Sequence, residues 1–163
     1  MRLDLSPDQE LVRDTTRRFL AERAPLTEVR RLYDDPQGYD RAWWRQAAEL
    51  GWTAMLVPEA YGGGSLTGEG LLDLVVVAEE MGRAVAPGPF VPVNVTAAAL
   101  GAGGPRGAVL DGLIAGGTVA AWCVAEPGGT WGPSGALQAT AERTSAGWAI
   151  SGTKSPVEAA AGA

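Results

Sequence analysis

The apolar positions recur at helical spacing through about residue 114. In the first predicted helix, 6–22, Leu11, Thr15 and Phe19 lie four residues apart, after a Ser-x-x-Gln capping box. Capping residues, terminal glycines and helical apolar spacing predict the other helices at 27–33, 41–50, 71–83, 93–100 and 106–114. The helix at 71–83 is apolar on most sides, so we expect it to lie centrally in a helical bundle.

The pattern changes from helical spacing to alternation at Gly116 and Gly117. An apolar run at 119–125 predicts a buried or half-buried strand. Alternation over 136–143 predicts a strand with one wet face, and 148–151 is expected to pair with it as a hairpin. The sequence therefore predicts an α+β fold, in which an all-α helical bundle precedes the beginning of an antiparallel β domain. We place the helical domain at 1–116 and the partial β domain at 117–163, because domains divide at such glycine-rich shifts.

Composition narrows the possible functions. The formal net charge is -6, with no basic stretch for a nucleic acid or an anionic membrane. No apolar run is long enough to span a bilayer, and the charged start lacks a signal-peptide core, so we expect a cytoplasmic protein. The chain has no histidine and one cysteine, Cys123, which argues against His-based catalysis, an internal disulfide and a multi-cysteine metal site.

The best candidate for a binding site is the stretch 119–132. Its apolar first half is followed by a loop, 126–132, that contains a proline and several glycines. Glycines let a backbone come close to a ligand and expose its N–H groups, which suits a flat or anionic cofactor. The alternative interpretation is a strand followed by an ordinary turn.

Several motifs, taken in order, resemble the acyl-CoA dehydrogenase family. Gly51 begins the segment G-W-T-A-M-L-V-P-E-A-Y-G-G, similar to the family's "Gw…vPEeyGG". Residues 78–82, A-E-E-M-G, resemble its "eElG" helix end, and 122–127, W-C-V-A-E-P, resemble the "(Y/F)-C-(L/V)-T-E-P" that opens its β domain. Residues 147–154, G-W-A-I-S-G-T-K, are similar to "Gy.lnG.K". The resemblance covers almost the whole chain but only the first part of such an enzyme.

The resemblance implies FAD as cofactor and an acyl-CoA substrate, which the family desaturates between neighbouring carbons in lipid metabolism such as fatty acid β-oxidation. It also implies a homo- or hetero-oligomer of dehydrogenase chains. The residues that it places at the flavin are Trp122, Val124, Ala125, Thr130 and Trp131. No residue of this chain matches the family's catalytic glutamate, which lies in a C-terminal helical domain, so we expect the chain not to be competent alone.

Departures from the family pattern leave a second interpretation open. Ala125 replaces a threonine, Trp131 lies where the family has a small Gly-Ser-Asp loop, and Pro156 and Glu158 occur in place of Trp and Thr. A carboxylate near a pyrophosphate repels it unless it is offset. The alternatives are a non-catalytic, flavin-poor subunit of a heteromeric dehydrogenase and a helical interaction module without a ligand.

Overall fold

A computed structural model describes residues 4–104, 107–128 and 137–163. The described ranges contain six α-helices and one antiparallel hairpin, which confirms the predicted α+β fold. The helices are α1 Pro7–Arg23, α2 Leu26–Leu32, α3 Arg41–Glu49, α4 Gly70–Ala84, α5 Phe90–Ala102 and α6 Ala108–Ile114. The strands are β1 Thr140–Thr144 and β2 Gly147–Ser151, and short 3-10 turns occur at Glu59–Tyr61 and Ala160–Gly162.

The predicted caps of α1 and α3 are confirmed, whereas α2 begins at Leu26, one residue before its predicted start, and has no side-chain cap. Ser6 and Gln9 form the capping box of α1: the Gln9 N–H donates to Ser6 Oγ at 3.2 Å and the Ser6 N–H donates to Gln9 Oε1 at 2.9 Å. The Asp40 carboxylate accepts from the first N–H groups of α3. Helix α5 begins at Phe90, three residues before its predicted start, because a proline at the third helical position, Pro92, is tolerated in a first turn.

An aromatic cluster forms the centre of the core. Trp52 packs edge-on against Phe19 at 5.4 Å and against Phe90 at 5.9 Å between ring centroids. Trp43 and Trp44 of α3 complete the cluster and are almost fully buried. Edge-to-face packing of this kind is favourable beyond the area that it buries. The cluster ties α1, α3 and α5 together and so fixes where the outer face of α5 lies.

The central position expected for the fourth helix is wrong. Helix α4 packs against α1 through one face, on which Val77 and Met81 are buried. Leu71 and Val75, on its other side, are more than half exposed. The apolar character of this helix predicted burial, but which of its faces is covered depends on neighbours that the local pattern does not specify.

The predicted hairpin is confirmed and the predicted strand at 119–125 is wrong. In the hairpin, Ala141 pairs with Ile150 and Arg143 with Trp148. Both strands are exposed on both faces, so the expectation of one wet face is also wrong. The stretch 119–126 has no regular secondary structure, because no described strand pairs with it. No helix in the described ranges is long and apolar enough to cross a membrane.

The last residues return to the helical part. The Arg41 guanidinium donates to the Gly162 carbonyl at 3.2 Å, and the buried Gly162 lies against the Tyr39 ring. The segment before it, 156–158, lies close to α5. The paired glycines at 116–117 follow the end of α6, as expected for a helix end, while the division into domains 1–116 and 117–163 stays a prediction.

Candidate functional site: a groove beside helix α5

A groove of about 330 Å³ lies between helix α5 and two segments from the second half of the chain. This volume is in the range of small-molecule sites in proteins, about 300–1,000 Å³. Its lining residues come from three places: Val91, Pro92 and Val95 of α5, Trp122 and Val124, and Pro156, Val157 and Glu158. The walls are therefore apolar apart from one carboxylate.

Helix α5 supplies one wall because it is apolar on both sides. Its inner side buries Phe90 and Val93 in the core, which leaves Val91 and Val95 on the side of the groove. Asn94, itself buried, holds the helix in place by donating from Nδ2 to the Trp52 carbonyl at 2.9 Å, and it also donates to the Phe90 carbonyl of its own helix at 2.9 Å. The outer wall is thus anchored to the aromatic cluster behind it.

The segment 122–124 supplies the second wall. Trp122 and Val124 line the groove and are 44% and 48% exposed, whereas Cys123 between them does not line it. This alternation is what an extended backbone produces. No described residue accepts a hydrogen bond from the N–H groups of this segment. The wall therefore combines open apolar side chains with backbone N–H groups that are unpaired among the described residues, which suits a polar ligand edge.

An ion pair joins the second wall to the third. Lys154 Nζ lies 2.8 Å from Glu126 Oε1 and 3.4 Å from the Val124 carbonyl oxygen. The Glu126 carboxylate also accepts from the N–H groups of Gln138 at 2.7 Å and Ala139 at 2.9 Å. The Lys154 hydrogen bond, reinforced by these two N–H donors, lowers the pKa of Glu126 to about 2. Glu126 is therefore an ionised anchor rather than a proton carrier near neutral pH.

The helical part of the chain matches the family model described as "Acyl-CoA dehydrogenase, N-terminal domain" over residues 6–106, more than half of the chain. The chain belongs to the acyl-CoA dehydrogenase family. This confirms the resemblance that the ordered motifs indicated, and six helices followed by a two-stranded antiparallel sheet agree with the fold that it implied.

Similar proteins cover the same region. The acyl-CoA dehydrogenase IpdE2 of Mycolicibacterium smegmatis is 34% identical over 97 residues, which are 59% of this chain and 30% of that protein. A variant of the Tcur3481-Tcur3483 steroid ACAD is 30% identical in sequence, with a TM-score of 0.76 over 95% of this chain and 42% of the other. An acyl-CoA dehydrogenase complexed with FAD from Bacillus anthracis has the same fold at 24% identity, with a TM-score of 0.71 over 94% of this chain and 27% of the other. The chain thus spans less than half the length of these acyl-CoA dehydrogenases.

Two of the flavin residues expected from the resemblance line the groove, Trp122 and Val124. Ala125 adjoins it, half-buried, and its carbonyl accepts from the Ser155 N–H at 3.0 Å. Thr130 and Trp131 lie outside the described residues. The wall from α5 was not among the predicted site residues. The sequence signal for this wall is that Val91 and Val95 are apolar although they lie on the side of α5 that faces the groove and not the core.

The residues present fit the ring portion of a flavin. Apolar side chains with neighbouring backbone N–H groups suit a flat heteroaromatic ring, and Trp122 offers an open face for it. Glu158 is the one lining group that opposes an anionic ligand. Within the described ranges no cluster of cysteine, aspartate and glutamate could hold a metal ion.

Proposed function

We propose that this chain forms the N-terminal side of the flavin and acyl-thioester site of an FAD-dependent acyl-CoA dehydrogenase and is not competent alone. The observation that carries the proposal is the apolar groove in which Trp122 and Val124 face helix α5. When bound, FAD accepts the two hydrogens that leave neighbouring carbons of the acyl group as a double bond forms.

The groove residues divide into two roles in this proposal. Trp122 and Val124 hold the flavin ring, with Ala125 beside them, and the backbone N–H groups of this segment donate to its polar edge. Val91 and Val95 of α5 form an apolar wall that keeps water away from the reacting carbons. Both roles use packing and backbone donors, so neither requires a titrating side chain.

The base that removes the proton lies, in this proposal, outside the residues of this chain. Glu126 is ionised and held by Lys154, and the buried Glu80 is paired with Arg17. Both carboxyl groups have lowered pKa values, because hydrogen bonds from these cations favour the charged form. A general base works best with a pKa near the operating pH, so neither acid suits the role.

Two tryptophan variants test the proposal. Trp122→Ala opens the groove, whereas Trp148→Ala removes a more exposed tryptophan ring from the hairpin, which does not line the groove. The protein is purified with the chains that accompany it, and its flavin content and the acyl-CoA-dependent bleaching of the oxidised flavin band are measured. We expect Trp122→Ala to weaken flavin binding about tenfold, the equivalent of ~1.4 kcal/mol, and Trp148→Ala to leave it unchanged. Equal effects of the two variants, or a purified protein that neither carries flavin nor responds to acyl-CoA, would overturn the proposal.

A second candidate function is a flavin-poor subunit that supports a catalytic chain in a heteromeric dehydrogenase. The Glu158 carboxylate in the groove and the missing hydroxyl at Ala125 favour it. The Tcur3481-Tcur3483 steroid ACAD, which carries two protein names, offers a parallel. Flavin counted per chain in the purified assembly separates the candidates: one FAD for each copy of this chain supports the first, and FAD confined to the partner chain supports the second.

A further inference from the structure

We propose that Glu126 and Lys154 are positioning residues that hold the segments 122–126 and 154–158 together as the two adjoining walls of the groove. The inference rests on the proposed function, because it takes the groove to be the ligand site. It assigns a role to two charged residues that are not among those lining the groove.

The contacts show why one pair has this effect. Lys154 Nζ reaches both the Glu126 carboxylate, at 2.8 Å, and the Val124 carbonyl, at 3.4 Å. The next residue, Ser155, donates its N–H to the Ala125 carbonyl at 3.0 Å. Within the described ranges, no other hydrogen bond joins these two segments. Because 119–126 has no strand ladder, removing the Lys154 ammonium leaves a single backbone hydrogen bond between the described residues of the two walls.

The pair is shielded more than a surface ion pair. The side chain of Glu126 is 11% exposed and that of Lys154 is 22% exposed. Exposed pairs contribute little because water and salt screen them, and that screening weakens with burial. We therefore expect the pair to persist at physiological ionic strength.

The carboxylate is required in its ionised form. Glu126 Oε2 accepts from the Gln138 N–H, and Oε1 accepts from both the Ala139 N–H and Lys154. An amide in its place has only one acceptor oxygen and turns its NH₂ group toward an N–H or an ammonium. Glu126→Gln is therefore a nearly isosteric change that removes the negative charge and leaves at least one of the three donors without its acceptor. The same carboxylate also ties the residues before β1 to both walls.

The only cysteine, Cys123, provides a local probe of this arrangement. It is exposed, lies between the two groove residues Trp122 and Val124, and does not line the groove itself. A nitroxide attached to Cys123 in the purified protein reports the mobility of the segment through its EPR spectrum. The variants are Glu126→Gln, Lys154→Met and their combination, with Glu142→Gln in the exposed hairpin as the matched control.

We expect either single variant to raise the nitroxide mobility and to weaken flavin binding several-fold, and the double variant to add little to either effect. Lys154→Arg, which keeps the charge and the donors, is expected to restore both readouts in part. Far-UV circular dichroism verifies that the helices are retained; if one single variant fails this check, the other carries the test.

The results distinguish a failure of this inference from a failure of the proposed function. Unchanged nitroxide mobility in the folded single variants, or the same increase in Glu142→Gln, overturns the positioning role. A different result is that the single variants raise the nitroxide mobility, but neither they nor the unmodified protein binds FAD or an acyl-CoA. That result supports the positioning role and overturns the proposed function instead.

Discussion

Arg17 of helix α1 and Glu80 of helix α4 form a two-bonded ion pair, with Nε 3.0 Å from Oε2 and Nη2 2.8 Å from Oε1. The Glu80 side chain is only 4% exposed, whereas more than half of the Arg17 side chain is exposed. The guanidinium matches the carboxylate in shape and supplies two parallel donors. Its hydrogen bonds lower the pKa of Glu80 even though burial acts in the opposite direction. The contact between α1 and α4 therefore depends on an ionised carboxylate.

The first prediction concerns stability at acidic pH. Because the pKa of Glu80 is lowered by folding, the pair stabilises the protein above the ordinary glutamate value of 4.5, and this stabilisation is lost as pH falls through the folded-state pKa. Urea unfolding measured from neutral to acidic pH is expected to show a smaller decline for Arg17→Met, which lacks the pair at every pH. Arg18→Met, an exposed change on the same helix, is the control. Parallel pH profiles for Arg17→Met and the unmodified protein would contradict the prediction.

The second prediction compares two glycines of helix α4. A Cβ atom at Gly70 would lie 2.1 Å from the Met55 carbonyl oxygen, whereas one at Gly82 would meet nothing within 4 Å. Gly70→Ala forces the backbone apart and is expected to lower the free energy of unfolding by about 1–3 kcal/mol. Gly82→Ala gains helix propensity and is expected to raise it by about 0.5–1 kcal/mol. Chemical denaturation of the two variants checks both signs, and a stabilising Gly70→Ala would show that the contact with Met55 is wrong.

The third prediction concerns the anchor of helix α5. Asn94→Leu keeps much of the volume but removes the donors to the Trp52 and Phe90 carbonyls, so it is expected to cost about 1–3 kcal/mol of stability. Thr96→Val is the control on the same helix, because the buried Thr96 hydroxyl has no partner among the described atoms. We expect the control to be neutral or stabilising in thermal unfolding. Equal losses of stability in both variants would contradict the role of Asn94 as the anchor of α5.

The fourth prediction tests the carboxylate in the groove. Glu158→Gln removes the one charge that lines it and is expected to strengthen FAD binding about fivefold, since two like charges ~4 Å apart in water repel by ~1 kcal/mol. The dissociation constant of FAD is measured for the purified protein with its accompanying chains. Glu142→Gln on the exposed hairpin leaves the affinity unchanged. Weaker FAD binding in Glu158→Gln would mean that the carboxylate holds the ligand rather than opposing it.

Local signals predicted most of the helices, because capping and apolar spacing act within a few residues. The Ser6 and Asp40 caps and the start and end of α3 follow from such short-range chemistry. The segment 119–125 shows the limit of the same approach. Its composition suits a strand, but a strand exists only when a partner supplies the ladder, and no described partner does so.

One wall of the groove was also within reach of the sequence. The motif around Trp122 and Val124 pointed to a segment that lines the groove, and it predicted Thr130 and Trp131 as well, which lie outside the described residues. The α5 wall was missed because nothing local in Val91 or Val95 tells which neighbour its outer side will meet. Lys154 and Glu126 were likewise separate motifs until the structure brought them within 2.8 Å.

By itself, the order of residues determined the family, the helical segments, the change from helical spacing to alternation and the hairpin, because each depends on neighbours close along the chain. Only the tertiary structure decided that α4 leaves one face open, that 119–126 is not a strand, and that α5, Trp122 and Pro156 enclose one groove. These features depend on contacts between residues far apart in sequence, where packing and the available hydrogen-bond partners overrule local preference.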